Sequence, residues 1–304
     1  MKHNMQILQE AAQKNGPLCI GLDTSPDYIP HSVLKNYSSA QDAVFAYNKE
    51  IISRAKKTQS ACCFKIQIAY YEAMGLSGME VYAKTLKEVK DAGFIRISDV
   101  KRGDIAATAK AYADAHFSGD FESDIITINP YMGFDSLEPF LSYCKNGKGI
   151  FVLLRTSNPG MEDIENQLLQ NGKTVLSRVG EKLNSLSDDF KNFYPEQTCS
   201  PVGAVVGCTQ ENDALTLRQN HKSVFFLIPG YGAQGGDAKI AARLLQEAGG
   251  TVNSSRGILC AWKKSPECLK KSENDNLTLE DIGDAAEKAM LNAKQELLKA
   301  KEQI

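Results

Sequence analysis

The stretch "FIRISDVKRGDIAATAKAYADAHF", residues 94–117, runs from an apolar β-like segment through a charged turn into an alanine-rich segment whose apolar residues recur three and four positions apart. A strand, a charged junction and a helix in that order form the repeating unit of α/β folds. The same unit recurs along the chain. Strand-like runs begin at residues 17 (PLCIGLD), 61 (ACCFKI), 124 (DIITINP), 149 (GIFVLLRTS), 202 (VGAVVG), 223 (SVFFLIPG) and 250 (GTVNSS), which with the first makes eight. Helix-like segments over 40–57, 78–93, 104–117, 135–144, 172–186, 209–220 and 237–249, and a long one over 278–302, separate or follow them.

Eight alternating units admit a doubly wound parallel sheet or a closed barrel, and the count of eight favours an α/β fold of the (β/α)8 TIM-barrel type. A chain of 304 residues suits such a barrel, which commonly takes about 250. The reading is one domain over 1–304. Two stretches exceed a minimal barrel, 156–201 and the lysine-rich 256–277, and both are expected as insertions on one face.

The composition, 42% hydrophobic and 24% charged with 35 basic against 37 acidic residues, excludes a disordered chain and a polybasic nucleic-acid surface, so no nucleic-acid partner is expected. The eight cysteines form no C-x-x-C pair and several lie inside apolar runs, as reduced thiols of a cytoplasmic protein do. The opening "MKHNMQILQEAAQKNG" lacks the apolar core of a signal peptide, and no run approaches the roughly 18 apolar residues of a membrane span. The four histidines show no metal-ligand spacing, so no metal is expected.

In a barrel the reactive residues gather at the C-terminal ends of the strands, and here those ends are polar. Asp23 ends the first, Lys65 lies near the end of the second, Asp99 and Lys101 end the third, Asn129 the fourth, Thr156 and Ser157 the fifth, and Arg256 follows the eighth. Asp99 and Lys101 are two apart and should project the same way. Asp104 is expected in the first turn of the next helix, where a carboxylate can simply serve the helix dipole. A lysine aimed inward among carboxylates costs desolvation with little structural return, so it points to a site that a charged substrate completes. "IPGYGAQGGDA", residues 228–238, offers four glycines at the end of the seventh strand. They serve either a tight turn or a phosphate cradle, and Arg256 is placed to assist the second.

The segments "FKIQIAYYEAMG", "DVKRGDIAATAKAYA", "LLRTSNPG" and "IPGYGAQGGD" together resemble the orotidine 5′-phosphate decarboxylase family in its longer bacterial variety, and the resemblance extends from about "LCIGLD" to "NSSRG". It implies cofactor-free decarboxylation of orotidine 5′-phosphate to uridine 5′-phosphate in de novo pyrimidine biosynthesis. Lys65, Asp99, Lys101 and Asp104 would be the charged catalytic array, with Lys101 as proton donor. By the same resemblance Asp23 and Thr108 would contact the ribose, Ser157 the pyrimidine and Pro229 the pocket wall, while Gln234, Ser255 and Arg256 would hold the phosphate. Asp104, Ile105 and Thr108 would complete the neighbouring subunit's site, which implies a homodimer. The same residues also admit two rivals: a metal-dependent phosphosugar enzyme acting through an enediolate, and a silent nucleotide binder on the same barrel.

Overall fold

The computed structural model describes residues 1–207, 211–231 and 238–304. Among them, eight strands form a closed parallel barrel in chain order: β1 (Leu18–Leu22), β2 (Cys63–Gln67), β3 (Ile95–Arg102), β4 (Ile125–Ile128), β5 (Gly149–Arg155), β6 (Val202–Val206), β7 (Phe226–Ile228) and β8 (Gly250–Ser254). Closure is made by β1 pairing with β8 through Leu18 and Val252, Cys19 and Asn253, and Ile20 and Ser254. The doubly wound alternative is thereby removed.

Among the described residues, one helix lies beneath the barrel and an outer helix follows each strand, with short helices such as Pro266–Glu273 in the connecting segments. Helix α1 (Asn4–Asn15) precedes β1, and the outer ring is α2 (Ala40–Thr58), α3 (Gly75–Asp91), α4 (Ala106–Phe117), α5 (Glu138–Cys144), α6 (Val175–Phe193), α7 (Glu211–Asn220), α8 (Ala238–Leu244) and α9 (Leu279–Glu302). No helix among the described residues is long and apolar enough to cross a membrane.

Side-chain alternation divides the apolar residues into two cores. Outward-facing strand residues such as Ile20, Phe64, Ile126, Val152 and Phe226 pack under the helices. Inward-facing residues Cys19, Cys63, Ile97, Ile125, Phe151 and Leu227 fill the lower barrel, and Met5 and Leu8 of α1 close it from below. Both α1 residues are fully buried, and burial of such a side chain contributes roughly 1.5–3 kcal/mol. Polar contacts fix α1 to the loops that enter the strands: Asn4 Nδ2 donates to Asp124 O at 3.0 Å, Thr198 N to Gln6 Oε1 at 2.9 Å, and Gln9 Nε2 to Ala248 O at 2.7 Å. The sequence reading assigned no structure here.

The two long stretches have distinct uses. Residues 158–174 arch out of β5 before α6 begins, and Glu165 ties them back by accepting from Thr156 N at 3.0 Å and Thr156 Oγ1 at 2.8 Å. In 256–277, Trp262 Nε1 donates to Tyr28 O at 3.1 Å and Ser32 Oγ donates to Leu277 O at 2.7 Å, so this segment braces the loop after β1.

Candidate active site

Going up the barrel, the inward positions change from apolar to charged or hydrogen-bonding. On β2, Cys63 gives way to Lys65; on β3, Ile97 to Asp99; on β4, Ile125 to Thr127. Lys65 Nζ donates to Asp23 Oδ1 at 3.2 Å and to Asp99 Oδ2 at 2.9 Å. Lys101 Nζ donates to the other Asp99 oxygen, Oδ1, at 2.6 Å. One buried carboxylate therefore carries an ammonium on each oxygen. Gln67 Nε2 adds a bond to Asp99 Oδ2 at 3.0 Å, and Thr127 Oγ1 donates to Asp99 Oδ1 at 2.9 Å.

The electrostatics follow from this packing. Burial works against the Asp99 carboxylate, yet the charges of Lys65 and Lys101 and their hydrogen bonds outweigh it and hold the carboxyl far below the usual range. Burial likewise disfavours the Lys65 ammonium, and Asp23 and Asp99 reverse that effect and hold its pKa well above the usual lysine value. Lys65 and Asp99 side chains are 6% and 8% exposed, whereas Lys101 is 46% exposed. Lys101 is the member of the set that an entering molecule meets.

Asp104 is placed differently from the sequence expectation. Helix α4 begins at Ala106 with Ile105 as its N-cap and has no acidic residue in its first turn. Asp104 precedes the helix, and its Oδ1 accepts from Ile105 N at 2.8 Å. The N-cap Ile105 is extended (φ −107°, ψ 154°) and Ala106, the first helical residue, takes a left-handed φ of +45°, so Asp104 stands outside the first turn. Among the described residues Asp104 makes no ion pair with Lys65 or Lys101, and Ile105 and Thr108 are exposed beside it.

Elsewhere on the rim, Ser157 is half-buried after β5, and Gly207 after β6 fits against it so closely that a Cβ would lie 2.9 Å from Ser157 Cα. Pro229 follows β7 and is half-buried. Ser255 follows β8 with its Oγ accepting from Asn253 Nδ2 at 3.2 Å. Gly21 of β1 makes room for these side chains, because a Cβ there would sit 1.9 Å from Ser255 Oγ. Arg256 is exposed, and among the described residues its guanidinium has no ion-pair partner. Gln234, with Gly232, Gly235 and Gly236 of the expected phosphate loop, lies outside the described residues.

A cavity of about 700 Å³ opens beside the mouth under the 158–174 arch, reaching Asn129, Tyr131, Leu153, Thr156 and Met161. Its lining includes none of Lys65, Asp99, Lys101 and Asp104. Two partners of Asp99 were not foreseen, Gln67 and Thr127. Their signal was available in the period-2 alternation that puts Gln67 on the Lys65 face and Thr127 on the Ile125 face.

The family model of the orotidine 5′-phosphate decarboxylase / HUMPS family matches residues 16–267. The chain belongs to this family. The orotidine 5′-phosphate decarboxylase of Clostridium perfringens (strain 13 / Type A) is 54% identical over 272 residues, covering 87% of this chain and 93% of the relative. That of Clostridium botulinum (strain Langeland) is 51% identical over 268 residues, covering 88% and 92%. Among solved structures, the Leishmania donovani OMP decarboxylase superposes with a TM-score of 0.67 at 25% identity, covering 93% of this chain and 98% of that one. The family membership and the barrel expected from the sequence both stand.

Proposed function

We propose that this chain decarboxylates orotidine 5′-phosphate to uridine 5′-phosphate in pyrimidine biosynthesis, without a cofactor, as one domain over 1–304 working in a homodimer. The observation that carries the reading is Asp99 with the ammonium groups of Lys65 and Lys101 on its two oxygens at 2.9 and 2.6 Å. Loss of CO2 from C6 leaves the bonding pair in an sp2 orbital in the ring plane, where the π-system cannot take it up. A cation already in position stabilises that pair as it forms. Lys101 supplies the cation and then transfers its proton to C6, leaving uridine 5′-phosphate and a neutral amine that regains a proton from solvent.

Asp99 fixes both lysines and repels the substrate carboxylate as it approaches. Two ammonium groups already neutralise Asp99, which suits an anionic substrate better than the divalent cation of an enediolate mechanism. In this reading Asp23 and Thr108 hold the ribose, Ser157 the pyrimidine and Pro229 the pocket wall. Arg256, Ser255 and Gln234 hold the phosphate, so binding energy gained far from C6 orients the ring there.

The homodimer accounts for the rim. Asp104 has no lysine partner in its own chain among the described residues, and with Ile105 and Thr108 it would complete the second copy's array. Ile105, Tyr131 and Met132 are 51%, 78% and 48% exposed, and Gly103 brings the loop after β3 against Asn129 after β4. These apolar side chains are the surface a second copy would cover. The free thiols among the described cysteines suit the reducing cytoplasm.

The test is the absorbance change of orotidine 5′-phosphate on adding purified protein, with and without EDTA, beside Lys101→Ala. Expected are EDTA-insensitive conversion by the wild type and a loss of about 10⁴-fold or more in kcat for the variant, with uridine 5′-phosphate still bound. Near-normal turnover of Lys101→Ala would overturn the role of that lysine, and no conversion by the wild type would overturn the activity. A monomer in sedimentation equilibrium that turns over normally would overturn the shared site.

A further inference from the structure

We propose that Thr127 is a positioning residue for Lys101, an inference that rests on the decarboxylase reading of that lysine. The ladder between β3 and β4 loses its register between Ser98 and Arg102. Within that gap Lys101 takes φ +43°, a left-handed conformation that residues with a Cβ seldom adopt. The gap also deprives the Val100 and Lys101 amides of regular strand partners. Both donate instead to the Thr127 hydroxyl, at 3.0 and 2.9 Å.

The same hydroxyl donates its hydrogen to Asp99 Oδ1 at 2.9 Å, the oxygen on which Lys101 Nζ rests at 2.6 Å. A hydroxyl offers one hydrogen and two lone pairs, and here all three are used. Thr127 is 1% exposed, so water cannot readily take its place. One side chain thus fixes Lys101 at both ends: the backbone turn from which the side chain departs and the carboxylate against which its ammonium is held. Thr127 does this without needing to touch the substrate.

The experiment compares Thr127→Val, which keeps the shape and removes the hydroxyl, with Thr127→Ser, which keeps the hydroxyl. Each is assayed for kcat, KM and uridine 5′-phosphate affinity, with Lys101→Ala run alongside. Expected for Thr127→Val is a fall in kcat of about tenfold or more with KM and product affinity within about threefold, because an unplaced ammonium is missed most when charge develops at C6. Thr127→Ser should return to within about threefold of wild-type kcat, which keeps the test decisive should the valine variant fold poorly. Wild-type kcat in Thr127→Val, or parallel losses of kcat and product affinity in both variants, would overturn the positioning role while an inactive Lys101→Ala left the decarboxylase reading standing. Normal turnover by Lys101→Ala would overturn the positioning role together with the catalytic role of Lys101, and would leave the activity itself standing.

Discussion

The lower and upper halves of the barrel interior are built on the same strands by the same alternation, yet they answer to different physics. Below, Cys63, Ile97, Ile125 and Phe151 meet Met5 and Leu8 in a dry floor whose cohesion is apolar packing. Above, one step further along the strands, Lys65, Asp99 and Thr127 form a network in which each polar atom depends on its neighbours. The floor gives the network its value, because charges set on a water-excluding base interact more strongly than they would in water. The difference separates two kinds of failure: damage below should be read mainly in stability, and damage above in turnover as well.

Of the changes that set the two halves against each other, the largest combined effect on stability and turnover is expected from Asp99→Ala. It leaves Lys65 buried with Asp23 alone and Lys101 without its carboxylate, so stability should fall by about 3–5 kcal/mol, with kcat reduced by about 10³-fold or more. Urea unfolding together with the absorbance assay checks both, and a variant that kept either quantity would mean that the upper half does not rely on its ion pairs. Phe151→Ala is the matching change below. Its ring faces Phe225 at 6.4 Å between centroids, and truncation should cost about 3–5 kcal/mol while the folded variant keeps kcat within about threefold at 25 °C. A large drop in its kcat would show that the floor shapes the site directly. Leu8→Ala comes next, at about 2–3 kcal/mol by the same assay, because α1 lies at the edge of the core and can settle into part of the space.

The contrast also explains what could be read from the sequence. Each of the eight strands falls on one of the eight expected runs, with β2 and β3 continuing past theirs to Gln67 and Arg102, because each run is apolar and short and is set off by turn residues. Lys65 and Asp99 converge as the spacing required, since period-2 alternation sends them inward, whereas Lys101 reaches the same carboxylate from a left-handed turn where the β3–β4 ladder has lost its register. Helix α1 escaped because its apolar signal, Met5 and Leu8 with alanines, is weak, and its importance comes from the open barrel end that it closes. Thr127 escaped for another reason. A threonine in a strand is an ordinary β-former, and its task becomes visible only where the β3–β4 ladder fails and two amides need an acceptor. Asp104 was set in the first turn of α4 because nothing in "RGDIAAT" announces that Ala106 will take a left-handed conformation.

The smallest effect expected separates the halves by pH. Burial lowers the pKa of His3, His116 and His221 to about 4. A histidine depressed in this way contributes stability that is complete above its unfolded value near 6.5 and is lost as pH falls toward about 4. Asp99 is also depressed, but its contribution is complete above the ordinary aspartate value of about 3.9 and is lost only below it. Between pH 6.5 and 4 the histidines should therefore set the slope while the ion-pair network stays charged. His3 belongs to the floor: its Nδ1 accepts from Gln6 N at 3.0 Å as the N-cap of α1, and its Nε2 lies 3.0 Å from Cys199 O. The neutral ring with its proton on Nε2 satisfies both contacts, and protonation of Nδ1 breaks the cap. His3→Asn keeps a good capping acceptor and removes the titration, so its stability at pH 7 should stay within about 1 kcal/mol of wild type. Its urea midpoint should then fall less than that of wild type between pH 7 and pH 4.5, and equal declines would show that acid sensitivity arises elsewhere than under the barrel.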